Sequence, residues 1–223
     1  MDVDVILLTD STDVVTTQRT IYTLHESNPS YNFRVQLVDS GTNDPTRYKA
    51  YQNYIHPNIG FNYNMFINMA IKFCQTDWVI ISNDDVGYER GWFDEIMKVH
   101  NERPDIESFS PKDPLLYLKY FNWHFINSPD QYFENYTVHE AIMGWCIVIK
   151  RCALNKIMPF DEQFDMYYQD NDYAEMLKLH GIKHALVKNS IACHLQTLNV
   201  EKASDAKKRK MMLDELKFRK KWK

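Results

Sequence analysis

Glycine and proline are scarce, six and eight in 223 residues, which excludes collagen-like repeats, Gly/Ser linkers and Pro-rich spacers. Long apolar runs are missing too. The longest, such as Val5 to Leu8 and Trp78 to Ile81, fall far short of the roughly 20 residues a membrane-spanning helix needs. The acidic start Met1-Asp2-Val3-Asp4 is unlike a secretory leader, so the expectation is a cytoplasmic chain. No C-x-x-C pair occurs among Cys74, Cys146, Cys152 and Cys193, and each lies in an apolar stretch. Reduced core thiols are expected, rather than a zinc site or a disulfide framework. What is present, 44% hydrophobic and 25% charged residues, describes a globular chain long enough to bury roughly 70% of its unfolded surface.

Charge is unevenly spread. The net charge is −4, yet Lys207 to Lys223 carries nine Lys or Arg against Asp214 and Glu215, a local +7 that leaves −11 for the rest. A basic tail on an acidic body suits a membrane surface or another polyanion. The plainer expectation is a solvated amphipathic helix packed through Met212, Leu213 and Leu216.

Along the chain, strands and helices alternate. Val3 to Leu8 reads as a strand that stops at Thr9-Asp10-Ser11-Thr12-Asp13, before a helix reaching about Ser27. Phe33 to Val38 is a second strand, ending at Asp39-Ser40-Gly41-Thr42. A helical pattern over Tyr63 to Phe73 precedes Trp78 to Ser82, apolar on both faces as a central strand of a parallel sheet requires, which ends at Asn83-Asp84-Asp85. Open α/β sheets bind ligands at the carboxyl ends of their strands, so these three polar loops are expected to converge. A helix over Trp92 to Asn101, a less regular region from Pro104 to Tyr136, a strand-like run over Ile142 to Lys150, a helix ending at Gly181 and a last strand over Ala185 to Cys193 follow. With no internal repeat, this predicts an α/β fold: one Rossmann-like domain over residues 1–198, a mostly parallel sheet flanked by helices, and a basic helical tail over 199–223.

Adjacent carboxylates repel unless a cation or protein donors compensate them, and hard oxygen ligands suit Mg²⁺ or Mn²⁺ held together with substrate phosphates. Asn83-Asp84-Asp85 reads either as such a site or as an ordinary turn. Tyr168-Gln169-Asp170-Asn171-Asp172 opens a helix, where carboxylates cap or, alternatively, act as a general base. His194, just after the last strand, is a candidate metal ligand or phosphate contact.

Taken in order, these segments resemble the family-2 type of GT-A glycosyltransferase, from about Val3 to Thr197. Val5 to Ser11 resembles the first strand and nucleotide loop, and Val38-Asp39-Ser40-Gly41-Thr42 the V-D-N-G-S segment. Trp78 to Val86 resembles the strand and D-x-D segment, Met143 to Arg151 the glycine-containing strand on the acceptor side, and Phe160 to Phe164 with Tyr168 to Tyr173 the run that carries the catalytic base. Asn83 stands for the first Asp of D-x-D and Gln169 for the Glu before the base. Asn62 to Asn68 follows the family's Arg-Asn helix start only loosely.

The resemblance implies a metal-dependent, inverting glycosyltransferase. Asp170 is then the base. Thr9, Asp10, Ser11, Asp39, Asn83, Asp84 and Asp85 form the nucleotide and donor side, with UDP the expected nucleotide. Mn²⁺ or Mg²⁺ sits at Asp85 with His194, and Gly144, Trp145 and Asp172 lie on the acceptor or sugar side, Trp145 stacking on a sugar ring or simply lying in the core. The donor is a nucleoside-diphosphate sugar and the acceptor a glycan or lipid-linked saccharide, with a modified DNA base or an inactive nucleotide-sugar-binding module as alternatives. An acidic body speaks against DNA, and the shortage of glycine against a nucleotidyltransferase phosphate loop.

Overall fold

A computed structural model describes residues 1–114, 129–195 and 204–223. The boundary expected at 198/199 and the end of the resembling span at Thr197 lie outside these residues. Strand β1 (Asp2–Thr9) is followed by α1 (Val14–Ser27), β2 (Asn32–Asp39), β3 (Asn53–Ile55), α2 (Tyr63–Ala70), β4 (Trp78–Asn83), β5 (Val86–Tyr88) and α3 (Trp92–Glu102). Then come β6 (Ile106–Lys112), β7 (Tyr132–Glu134), β8 (Cys146–Lys150), α4 (Arg151–Ile157), α5 (Gln169–Leu179), β9 (Lys183–His194) and α6 (Asp205–Lys221). Among these residues no helix is long and apolar enough to cross a membrane.

The sheet runs β3-β2-β1-β4-β8-β6-β9-β5, with β7 beside β9. The first four strands pair in parallel, as expected. Strand β8 enters antiparallel between β4 and β6, and β6 pairs in parallel with β9. Alternation along β1 sends Val3, Val5 and Leu7 to one core with Ile21 and Leu24 of α1 and Trp92, Phe93 and Ile96 of α3. Ile6 and Leu8 face the other core, with Phe66 and Ile67 of α2, Leu154 and Ile157 of α4, and Leu177 of α5. A period of two thus builds a sheet covered on both faces.

The run expected as a strand over Ile142 to Lys150 joins the ladder only at Cys146. Before it the chain turns, with Cys146 N–H donating to the Met143 carbonyl (2.9 Å), which frees Trp145 C=O to accept from Asn83 N–H (2.9 Å). Cys74 and Cys146 are buried free thiols as expected, whereas Cys152 is exposed and Cys193 half-buried, so those two are not core residues. Cys152 is the second residue of α4 and turns outward, its Sγ 3.4 Å from Glu107.

The tail also packs otherwise than expected. Met212, Leu213 and Leu216 are exposed, because α6 is held by charge: Lys210 pairs with Asp165 and Asp214, Lys217 with Asp214, and Lys221 with Asp161 and Asp172. The ring of Phe218 lies 5.5 Å from that of Tyr168.

One buried carboxylate anchors the edge where β4 begins. Asp4, fully buried in β1, accepts from the N–H groups of Gln75 (2.5 Å) and Thr76 (2.8 Å) and from the Gln36 side-chain amide (3.1 Å). Asp4→Ala strands these donors away from water and should cost about 3 kcal/mol. Urea unfolding would report this as a lower midpoint at unchanged slope; an unchanged midpoint would mean that water replaces the carboxylate.

Candidate active site

Register brings the three polar strand ends to one rim, since Thr9 lies opposite Asp39 and Leu8 opposite Asn83. Loop 9–13 and loop 39–42 touch at Gly41, where a Cβ would stand 2.0 Å from the Asp10 carbonyl oxygen, so only glycine fits. Ser11, at φ 61°, donates its N–H to Thr9 Oγ1 (3.1 Å) and its hydroxyl to Asp39. Asp10 is exposed and accepts from Thr12.

Asp39, expected at the nucleotide, is fully buried, and its carboxylate accepts from Ser11 Oγ, Gly41 N–H (2.8 Å) and Tyr54 OH (2.9 Å). It stands behind the loop and fixes its shape instead of lining its surface. Asp84 likewise turns back onto α1, accepting from Thr17 Oγ1 (3.0 Å), while its carbonyl accepts from Thr20 (2.7 Å). Burial pushes its carboxyl up to about 6, hydrogen bonding from Thr9 opposes this, and the charge of Asp85 adds to it.

Asp85 points elsewhere. Its Oδ1 lies 3.1 Å from His194 Nε2, yet this buried oxygen receives no well-aligned hydrogen bond from the described residues. Close approach without alignment suits two ligands of one cation, because neighbouring ligands of an octahedral ion at about 2.1 Å lie about 3 Å apart. Among the described residues no three His, Cys, Asp or Glu side chains converge to hold a metal. Of the described residues a cation here would thus take two ligands, with phosphates and water available for the rest of its shell, the usual habit of Mg²⁺ and Mn²⁺. His194 is the last residue of β9. Its N–H donates to Asp113 Oδ2 (3.0 Å), and its ring lies parallel to the Trp145 indole at 5.6 Å. Trp145, expected either to stack on a sugar or to lie in the core, is only 7% exposed and occupies its face with His194, which favours the core position.

On the other side of the same turn stands Asp170. A Cβ on Gly144 would lie 2.8 Å from Asp170 Cβ and 2.9 Å from Oδ2, so the carboxylate lies directly on the glycine backbone. Tyr63 OH donates to the Gly144 carbonyl (3.0 Å) and holds that backbone in place. Asp170 occupies the first turn of α5 but does not cap it: the cap position is Tyr168, at φ 63°, with no side-chain hydrogen bond. Its Oδ1 accepts from Asn171 N–H (2.9 Å). Burial raises its carboxyl above the ordinary carboxylate range, and His139 pulls in the opposite direction. The residue keeps partial exposure at a cleft shared with Tyr63, Gly144, Gln169 and Tyr173. Among the described residues Gln169 Oε1, buried there, has no hydrogen-bond partner.

Asp172, expected on the acceptor side, is 2% exposed and faces the tail, accepting from Trp222 Nε1 (2.7 Å) and Lys221 Nζ (2.8 Å). Its oxygens are taken up by α6 and the following Trp222, which removes it from the acceptor surface. Sequence reasoning also passed over the asparagines of α2. Asn64 donates to Asp161 C=O (2.8 Å), while Asn68 donates to Phe160 C=O (2.9 Å) and accepts from Phe160 N–H (2.9 Å), stitching α2 to the segment before Asp170. Their i, i+4 spacing was the available signal. Asp113 had none, lying in the irregular region, and Lys221 and Trp222 were read only as tail.

The family profile described as glycosyl transferase family 2 matches residues 15–157, more than half of the chain. Among curated proteins none matches in sequence. Of solved structures, a mannosyltransferase, PcManGT, from Pyrobaculum calidifontis, in complex with GDP-Man and Mn²⁺, is similar with a TM-score of 0.60 and 12% identity, over 88% of this chain and 57% of that one. GalNAc-T7, solved with UDP, GalNAc and Mn²⁺, is similar with a TM-score of 0.68 and 10% identity, over 88% and 43%. The chain thus spans about half the length of these structures, and at such identities they establish a shared fold only. With the profile covering the polar ends of β2 and β4 and the Gly144 turn, the chain belongs to glycosyl transferase family 2.

Proposed function

We propose that this chain transfers a sugar, with inversion, from a nucleoside-diphosphate sugar, UDP-linked in the first instance, to a hydroxyl group of a glycan or lipid-linked saccharide. The observation that carries the reading is the Asp170 carboxylate, seated on Gly144 at a cleft, next in the chain to the Trp145 that flanks His194 and Asp85. Family membership and the nucleotide and Mn²⁺ named for the two similar structures support it.

In this mechanism Asp170 accepts the proton of the attacking hydroxyl, and its raised affinity for a proton suits a base. Gln169 Oε1, unpartnered among the described residues, accepts from a neighbouring hydroxyl and orients the acceptor. Thr9, Asp10 and Ser11, with Asn83, border the nucleotide, while Asp39 and Asp84 hold the loops from behind. Asp85 and His194 would hold Mn²⁺ or Mg²⁺, which when bound neutralises charge on the leaving diphosphate.

A melting-temperature panel of UDP, GDP, CDP and dTDP, each with Mn²⁺ and with EDTA, tests the reading. One nucleotide should raise the transition by about 5 °C or more at saturation, only with Mn²⁺, and the rise should vanish in Asp85→Ala and in His194→Ala. No rise with any nucleotide would overturn the transferase reading, and a rise that survives EDTA would remove the metal from it.

A further inference from the structure

The final helix presents two chemically different sides. On the inner side, Lys210, Lys217 and Lys221 are fastened to Asp161, Asp165, Asp172 and Asp214. On the outer side, Met212, Leu213 and Leu216 are 64%, 57% and 62% exposed. Arg209, Met212, Leu213, Leu216 and Lys220 follow the three- and four-residue spacing of a single helical face. Lys208 and Lys223 are exposed at the ends of this face, and among the described residues no carboxylate pairs with them, with Arg209 or with Lys220. Two of the helix's other carboxylates are already taken, Asp214 inside and Glu215 by Arg219 (2.7 Å), which leaves Asp205 in the first turn.

Three large apolar side chains exposed side by side are not what a merely solvated helix needs, because the helix is already held by its opposite side. A centre of Met and Leu rimmed by Lys and Arg is complementary to one kind of surface, an anionic lipid bilayer: the apolar groups enter the acyl boundary while the cations meet the headgroups. Nucleic acid would satisfy the cations but leave the apolar centre without a partner. A second copy of the same face would bring like charges together.

We infer that the outer face of α6, centred on Met212, Leu213 and Leu216, is a peripheral docking surface for anionic membranes. The inner side of the same helix holds Asp172, two residues from Asp170, so docking would set the cleft at a fixed orientation to the bilayer. The inference does not depend on the transferase reading, since lipid binding is measured without any donor.

Co-sedimentation of the full chain with vesicles of phosphatidylcholine alone, and of phosphatidylcholine with phosphatidylglycerol, tests it. Binding should require the anionic lipid and weaken with added salt. It should fall about tenfold or more in the triple variant Met212→Gln, Leu213→Gln, Leu216→Gln, and again in Arg209→Glu with Lys220→Glu. All five side chains point outward, so an unchanged melting temperature identifies a folded variant. Absence of binding, binding untouched by the apolar triple variant, tighter salt-dependent binding to duplex DNA, or a dimer dissolved by the triple variant would each overturn the inference.

Discussion

Asp170→Asn is expected to lower kcat by about 10²–10⁴-fold while the donor-nucleotide shift in melting temperature stays as in the parent chain. The substitution keeps shape and removes only the ability to take a proton. It should not destabilise the fold, because the charged form of this carboxyl is the one that burial penalises. The sign follows from linkage: a carboxyl whose folded pKa lies above its unfolded value binds its proton more tightly when folded. Its contribution to stability is therefore lost as pH rises from the unfolded value of 3.8 through the raised one. Replacing it with a neutral amide removes that loss. For the same reason the acid limb of the parent's pH–rate profile should lie above pH 3.8, since turnover needs the ionised base. Unchanged turnover in Asp170→Asn would refute the base assignment.

Gly144→Ala should be nearly as damaging, by a different route. The new methyl would lie 2.8 Å from Asp170 Cβ and 2.9 Å from its Oδ2, and the Cβ cannot swing aside as the end of a long side chain would. Either α5 or the 143–146 turn must move. Overpacking of this kind costs about 1–3 kcal/mol, and a displacement of order 1 Å at the reacting group costs about 10²-fold in rate. Both should be visible, as a lowered melting temperature and a lowered kcat with nucleotide binding retained. Gly60→Ala is the matched control: a Cβ there meets nothing within 4 Å, so stability and rate should hold. Full activity in Gly144→Ala would show that the carboxylate works from another position.

Much of the frame was legible in the sequence because the chemistry was local. β1, β2 and β4 announce themselves through apolar runs that stop at polar clusters, and their parallel pairing follows from the helices between them. The Asp85 and His194 pairing was readable only through the family resemblance, since 108 residues of intervening chain carry no local sign of it. β3, β5, β6 and β7 were missed, because Ile106–Lys112 holds Ser108, Ser110 and Pro111 where a strand signal would need β-branched residues, and β3, β5 and β7 have only three residues each. Asp39, Asp84 and Asp172 illustrate a different limit. A motif states which carboxylates gather at a rim, but only packing decides which face outward: Tyr54, Thr17 and Trp222 each draw one of them inward. The tail was misread for the same reason, as the apolar residues expected to pack it were displaced by lysines finding buried acids.

The clamp of Lys221 and Trp222 on Asp172, and of Lys221 on Asp161, also has a bearing on synthesis. A ribosome delivers a chain from its N-terminus at about 5–20 residues per second, so β1, β2, β4, α2 and the Asn64 and Asn68 stitches can form before α6 is made. The segment bearing Asp170 waits for α6 and Trp222. Until α6 and Trp222 have been made, Asp161, Asp165 and Asp172 are carboxylates whose cations have not yet arrived, and the cleft gains this support only after them.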